Sequence, residues 1–130
     1  MIALVDAEGV EAIAEQMMPK LLGVTTQGAR PDLARELRSL ILGNPPERVK
    51  AFIVAMMERA DSTPLLESVE VPALVMHGAE DALIPPAEAE GMHRRIKHSR
   101  LELIPSSGHL PNLEQAETFD TILWNFLAQL

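Results

Sequence analysis

One stretch of this chain, VPALVMHGAEDALIPP from Val71 to Pro86, leaves few folds open. The apolar run Ala73-Leu74-Val75-Met76 is bounded by Pro72 and by His77-Gly78, the pattern of a short strand covered on both faces in a parallel sheet. Gly78 allows a sharp turn off the strand end, and Pro85-Pro86 opens a helix where a missing N–H costs nothing. Asp81 then sits on a loop at the carboxyl end of a strand, where open α/β sheets carry their working residues. A second run, Leu101-Glu102-Leu103-Ile104, leads into Pro105-Ser106-Ser107-Gly108-His109, which predicts another strand with a polar loop at the same end. One Asp and one His, each just past its own strand, organise the chain.

Around this pair the texture divides in two. In residues 1–66 the apolar positions recur at helical spacing: Val10, Ile13, Ala14, Met17 and Leu21, with Gly9 breaking a short first helix from a longer one that ends near Pro19. Gly23–Arg30 reads as a loop. Pro31-Asp32 opens a helix to about Leu42, stopped by Gly43. Asn44 as N-cap and Pro45 at the first helical position start another, carrying Val49, Phe52, Ile53, Met56 and Met57 to about Ala60. Its Met-rich face reads as core packing or, alternatively, as an adaptable lining for a cleft. Residues 67–130 read as strand (71–77), helix (86–96), strand (100–104) and helix (113–129), the last with Ala116, Phe119, Leu123, Phe126 and Leu130 on one side and Trp124 nearby. A strand–helix–strand unit at this spacing implies a right-handed crossover between parallel strands. The expected class is α/β, with a helical segment ahead of a β-α-β-α unit. Two strands do not complete a sheet, since one or both edges keep unpaired N–H and C=O groups.

Composition narrows the partners. A net charge of −8 argues against nucleic acid and anionic membrane, both of which ask for Lys/Arg surfaces. With no cysteine the chain has no disulfide, no catalytic thiol and no cysteine-ligated metal, which fits a reducing, cytoplasmic compartment. No run approaches 18 apolar residues, so neither a signal peptide nor a membrane span is expected. The pair His77-x-x-Glu80 is a poor metal site, and no metal or organic cofactor is expected.

From Val71-Pro72-Ala73 through Glu80-Asp81 the sequence resembles the α/β-hydrolase superfamily, which carries P-x-L-x-x-x-G-x-x-D on a late strand, then a helix, a strand and a G-H dipeptide. Here the later part reads Ser107-Gly108-His109-Leu110-Pro111-Asn112-Leu113-Glu114. The preceding helices look like the cap that this family inserts into its sheet. The phrase from Ala7-Glu8-Gly9-Val10-Glu11-Ala12 through Leu22-Gly23, and Glu58–Pro64, look most like the branch containing the 3-oxoadipate enol-lactonases. The resemblance implies a helical cap over 1–66 and the C-terminal part of the core over 67–130. It also implies Asp81 as triad acid and His109 as triad base, in the hydrolysis of a small, apolar ester or lactone. An imidazole removes the proton from an otherwise weak serine nucleophile, and a carboxylate fixes the imidazole tautomer. Glu80 is the second candidate for the acid.

The nucleophile is expected before Asp81, yet no G-x-S-x-G occurs, and none of Ser39, Ser62, Ser68, Ser99, Ser106 and Ser107 lies on a glycine-flanked elbow. Ser106 and Ser107 are expected to bond loop backbone. The 130 residues therefore read as a hydrolase fragment, inactive alone. Three readings follow: half of a hydrolase completed by a chain supplying the earlier strands, a non-catalytic homo-oligomer, most simply a dimer, that covers its own edges, or a small enzyme in which Asp81 and His109 act on water.

Overall fold

The computed structural model describes all 130 residues. Four helices come first: α1 (Ile2–Leu21), α2 (Val24–Ala29), α3 (Pro31–Leu42) and α4 (Pro46–Met57). A 3₁₀ segment, Thr63–Ser68, leads to β1 (Ala73–Gly78), α5 (Pro86–Arg95), β2 (Ser99–Ile104), α6 (Pro111–Glu114) and α7 (Ala116–Leu127). Helix α1 packs against both α3 and α4, while α5 and α7 pack on the two strands.

Gly9 interrupts α1 as its sequence position suggests, with φ 78° and ψ −172°, a backbone geometry outside the helical region and costly for a residue with a Cβ. The helix continues past Pro19 to Leu21 rather than stopping at the proline. Residues 24–29 correct the expected loop: they form α2, with Gly23 in extended conformation as its N-cap. Asn44 is a second correction. Its side-chain amide donates to the carbonyl of Leu40 at 2.8 Å and lies 3.4 Å from that of Ile41, so it closes the end of α3 instead of opening α4. Pro45 is the N-cap of α4, and Pro46 takes the first helical position. The closing helix also differs. It begins at Pro111 and breaks at Gln115 (φ −131°, ψ 52°), which turns Glu114 into the interior.

Strands β1 and β2 are parallel and in register from Ala73 opposite Ser99 to Gly78 opposite Ile104. The pairing runs on into the loops: the N–H of Ala79 donates to Ile104 O (2.9 Å) and that of Glu80 to Ser107 O (2.8 Å). Both loops therefore leave the sheet side by side. Three glycines make the crossing possible. Gly23, Gly78 and Gly108 are buried, and a Cβ on Gly78 would drive into the Gly108 carbonyl and sit 2.5 Å from that of Ser107. A Cβ on Gly108 would overlap the backbone of Leu22 and Gly23.

The apolar core is thin. Two small clusters, Val5/Ile13/Ile53 and Leu22/Leu33/Leu37, lie in the helical half. The expected burial of β1 on both faces is not met: Ala73 to His77 are half-buried, and no residue of α7 is fully buried. On α4 only Ile53 is buried. Phe52, Met56 and Met57 are 64%, 64% and 75% exposed, so the core-packing reading of that face does not hold within this chain. The accessible surface is 8420 Å². A compact chain of 14.3 kDa exposes about 6,800 Å². The excess is made up in part by apolar side chains, Trp124 at 70% exposure among them.

If the glycine crossing holds the loops together, substitution there differs in sign from substitution elsewhere. Gly78→Ala is expected to lower unfolding stability by about 1–3 kcal/mol, since backbone must move to admit the methyl. Gly91→Ala, inside α5 with only the tip of Arg94 within 4 Å, is expected to raise it by about 0.5–1 kcal/mol. Urea unfolding of the two variants checks this, and equal effects would contradict it.

Candidate active site

Asp81 and His109 meet where the two loops emerge. His109 Nδ1 lies 2.9 Å from Asp81 Oδ2. The other carboxylate oxygen, Oδ1, accepts the N–H groups of Leu83 (2.8 Å) and Ile84 (2.9 Å), a turn in which the aspartate caps its own loop. The carboxylate is therefore aimed: one oxygen is held by backbone donors and the other faces the imidazole.

His77 adds a contact not assigned from sequence. Its Nε2 is 2.9 Å from the Ile84 carbonyl and 3.4 Å from Asp81 Oδ2. A carbonyl only accepts, so His77 Nε2 carries the proton and donates to Ile84. His77 thus ties the strand end to the loop, and its ring also backs the aspartate. The signal was available: a His at the strand end, four residues before the acid.

The Asp81 side chain is only 2% exposed, and burial alone would raise its carboxyl pKa. The Ile84 N–H, the His109 ring and the Leu83 N–H outweigh that effect and hold it below the ordinary aspartate value of 3.8. Asp81 is thus an anion at neutral pH and can only accept, so His109 presents Nδ1–H to it. The other ring nitrogen, Nε2, has no hydrogen bond within the chain, and the ring is about one-third exposed. In the neutral ring that nitrogen is the lone-pair side, the one able to take a proton.

The residues proposed as alternatives go elsewhere. Glu80 accepts the Thr25 hydroxyl (2.6 Å) and the Thr25 N–H (2.8 Å), which lower its pKa, and it bonds no histidine. Ser107 is wholly buried and donates to Ile104 O at 2.9 Å, as expected for a structural serine. Ser106 has φ 55°, an uncommon backbone state for a non-glycine residue, and its carbonyl accepts from the Gln115 amide at 3.0 Å. A groove of about 550 Å³ is lined by Met1, Ile2, Ala3, Ile53, Met56 and Met57 and includes neither Asp81 nor His109.

Two features of the site escaped sequence reasoning. The first is Glu114, 5% exposed, whose Oε1 accepts the N–H groups of Gly108 (2.8 Å) and Leu110 (3.2 Å) while Oε2 accepts that of Gly23 (2.8 Å). The second is the joint between α1 and α2: the His109 N–H donates to Leu21 O at 3.0 Å. Read as part of one long amphipathic helix, Glu114 carries no mark that distinguishes it from a surface glutamate.

No family model matches the chain. Among curated proteins it is similar to a pimeloyl-[acyl-carrier protein] methyl ester esterase of Neisseria meningitidis, 39% identical over 97 residues that make up 75% of this chain and 34% of the relative. Among solved structures it superposes on a thermophilic esterase from Thermogutta terrifontis with a TM-score of 0.93 and 40% identity, over 98% of this chain and 47% of that one. It also superposes on the enol-lactonase from Burkholderia xenovorans LB400 with a TM-score of 0.88 at 24% identity, over 98% and 48%; at that identity the likeness speaks for the fold. The chain thus spans about a third of the curated relatives' length and just under half of the solved structures. From the parallel strands with their paired loops, and from an esterase likeness running nearly end to end, it follows that the chain belongs to the α/β-hydrolase superfamily, with the architecture of that fold's C-terminal part.

Proposed function

We propose that the chain supplies the acid and base of a serine-type triad for hydrolysis of a small carboxylic ester, a lactone being the cyclic case. The observation that carries this reading is the bond from His109 Nδ1 to an aspartate whose second oxygen is locked by two backbone N–H groups. In the proposed reaction His109 Nε2 takes the proton of a serine as it attacks the ester carbonyl. Asp81 holds the tautomer and stabilises the imidazolium, which then returns the proton to the departing alkoxide. Water repeats the cycle on the acyl-enzyme.

Serine and oxyanion donors are assigned to residues outside these 130, because no G-x-S-x-G occurs here. They come with the remaining strands of the sheet, from further chain or from a second polypeptide. Residues 1–66 act as the cap and 67–130 as the end of the core, and the exposed Phe52, Met56 and Met57 are available as an apolar lid surface. Similarity to methyl ester esterases supports an ester over an amide as the substrate class.

The test is a chimera joining the N-terminal part of the Thermogutta terrifontis esterase to this chain. Turnover of an activated ester is expected, falling about 10⁴-fold with Asp81→Asn and about 10⁶-fold with His109→Ala. A folded chimera whose turnover survives both substitutions would overturn the triad assignment. An inactive chimera, together with a dimer of the isolated chain in sedimentation, would favour the self-associating module that free strand edges also suit.

A second outcome concerns pH. Because the Asp81 pKa is lower folded than unfolded, the unfolded chain binds more protons near and below 3.8, and stability rises with pH there. The contribution is complete above the ordinary aspartate value and is lost as pH falls through the depressed one. Asp81→Asn is expected to flatten the acid limb of stability, measured by urea unfolding at stepped pH. An unchanged limb would show that the carboxylate is not held as described.

A further inference from the structure

The pair of loops is clasped to the helical half at three points, one of them a single buried carboxylate. Glu114 reaches the two amides that flank His109, those of Gly108 and Leu110, with one oxygen, and the amide of Gly23 with the other. The His109 amide itself donates to Leu21 O, two residues from Gly23. On the acid side, Glu80, the neighbour of Asp81, takes both the amide and the hydroxyl of Thr25. Thus residues 21–25, the joint between α1 and α2, are bonded to the loop of the base and to the loop of the acid. The joint has no slack, since a Cβ on Gly23 would come within 2.6 Å of Glu80 Oε2 and 2.8 Å of Gly108 N.

From this geometry we infer that Glu114 is a positioning residue that makes the orientation of His109 depend on the placement of the helical half. It acts through backbone, hydrogen-bonding neither the His109 ring nor Asp81. The chemistry requires a carboxylate: both ends of the clasp present N–H donors, and only a group with two acceptor oxygens satisfies both. An amide serves one end and turns its own NH₂ against the N–H at the other, leaving a buried donor unpaired. A helical half displaced at its joint would therefore release His109 from its line to Asp81. If the helical half is the cap of an ester hydrolase, cap seating and base alignment are one event. That consequence rests on the function proposed above; the clasp itself does not.

The test is Glu114→Gln in the 130-residue chain, read by NMR. Exchange of the Gly23 amide, or of the Gly108 and Leu110 amides, is expected to accelerate about tenfold or more, the worth of a hydrogen bond to a charged group, while Ile13 in the core of α1 holds its protection. The ¹⁵N signals of the His109 ring are expected to lose the single Nδ1–H form. Unchanged ring signals, or uniform acceleration of all amides, would overturn the inference, the latter reducing Glu114 to general stability. If Glu114→Gln does not fold, Gly23→Ala displaces the joint with the carboxylate intact, and the ring signals must then change; if they stay as in the parent chain, the inference fails. None of these readouts uses turnover. An inactive chimera with a responsive ring would sink the hydrolase reading and leave the clasp, and an active chimera with an indifferent ring would do the reverse.

Discussion

Parallel pairing of β1 with β2 is the constraint on which the site depends. Parallel strands bring their carboxyl ends to one edge, so the residues that follow each strand are neighbours in space though 28 apart in sequence. In this chain the ladder continues beyond the strands, through Ala79 and Glu80 to Ile104 and Ser107, and the buried glycines let the two loops cross at backbone contact. Asp81 and His109 inherit their separation from that crossing. A side chain at Gly78 or Gly108 would move the loops apart before it touched either functional group.

The site is built more firmly than the sheet that presents it. Asp81, Ser107 and Glu114 are buried and bonded, and no buried side-chain polar atom lacks a partner. Strand faces and the last helix, by contrast, stay half-covered, and large apolar side chains on α4 and α7 face outward. Hydrogen bonding orders these loops without a deep core, because their donors find acceptors on the neighbouring loop or at the α1–α2 joint, as Gly23 does at Glu114 and His109 at Asp81 and Leu21. Covering both faces and edges of a parallel sheet takes further elements. The excess of surface over that of a compact chain of this mass expresses the same imbalance.

Much of this was legible in the sequence, for physical reasons that also explain the misses. Apolar periodicity located the helices and both strands, and the order Asp81 then His109 followed from strand ends marked by Gly and Pro. Helix α2 was missed because Val-Thr-Thr-Gln-Gly-Ala combines β-branched residues with glycine, a composition that favours a loop until tertiary contacts at Thr25 and Thr26 overrule it. Asn44 was misassigned because an asparagine between two helices can serve the end of one or the start of the next, and Pro45 does not decide between them. Glu114 was invisible because its partners, Gly23 and Gly108, contribute only backbone N–H groups, which leave no trace in residue identity. The Met-rich face of α4 reads equally as core or as a cleft lining because periodicity reports which side is apolar and not what covers it.

The central claim is that Asp81 fixes one tautomer of His109 and leaves the opposite nitrogen open. Long-range ¹H–¹⁵N correlation of the neutral His109 ring, in the parent chain and in Asp81→Asn, tests it most directly. The account requires the Nδ1–H tautomer, with an unprotonated Nε2, in the parent, and its loss in the variant. A ring that carries its proton on Nε2, or signals identical in the two proteins, would contradict it.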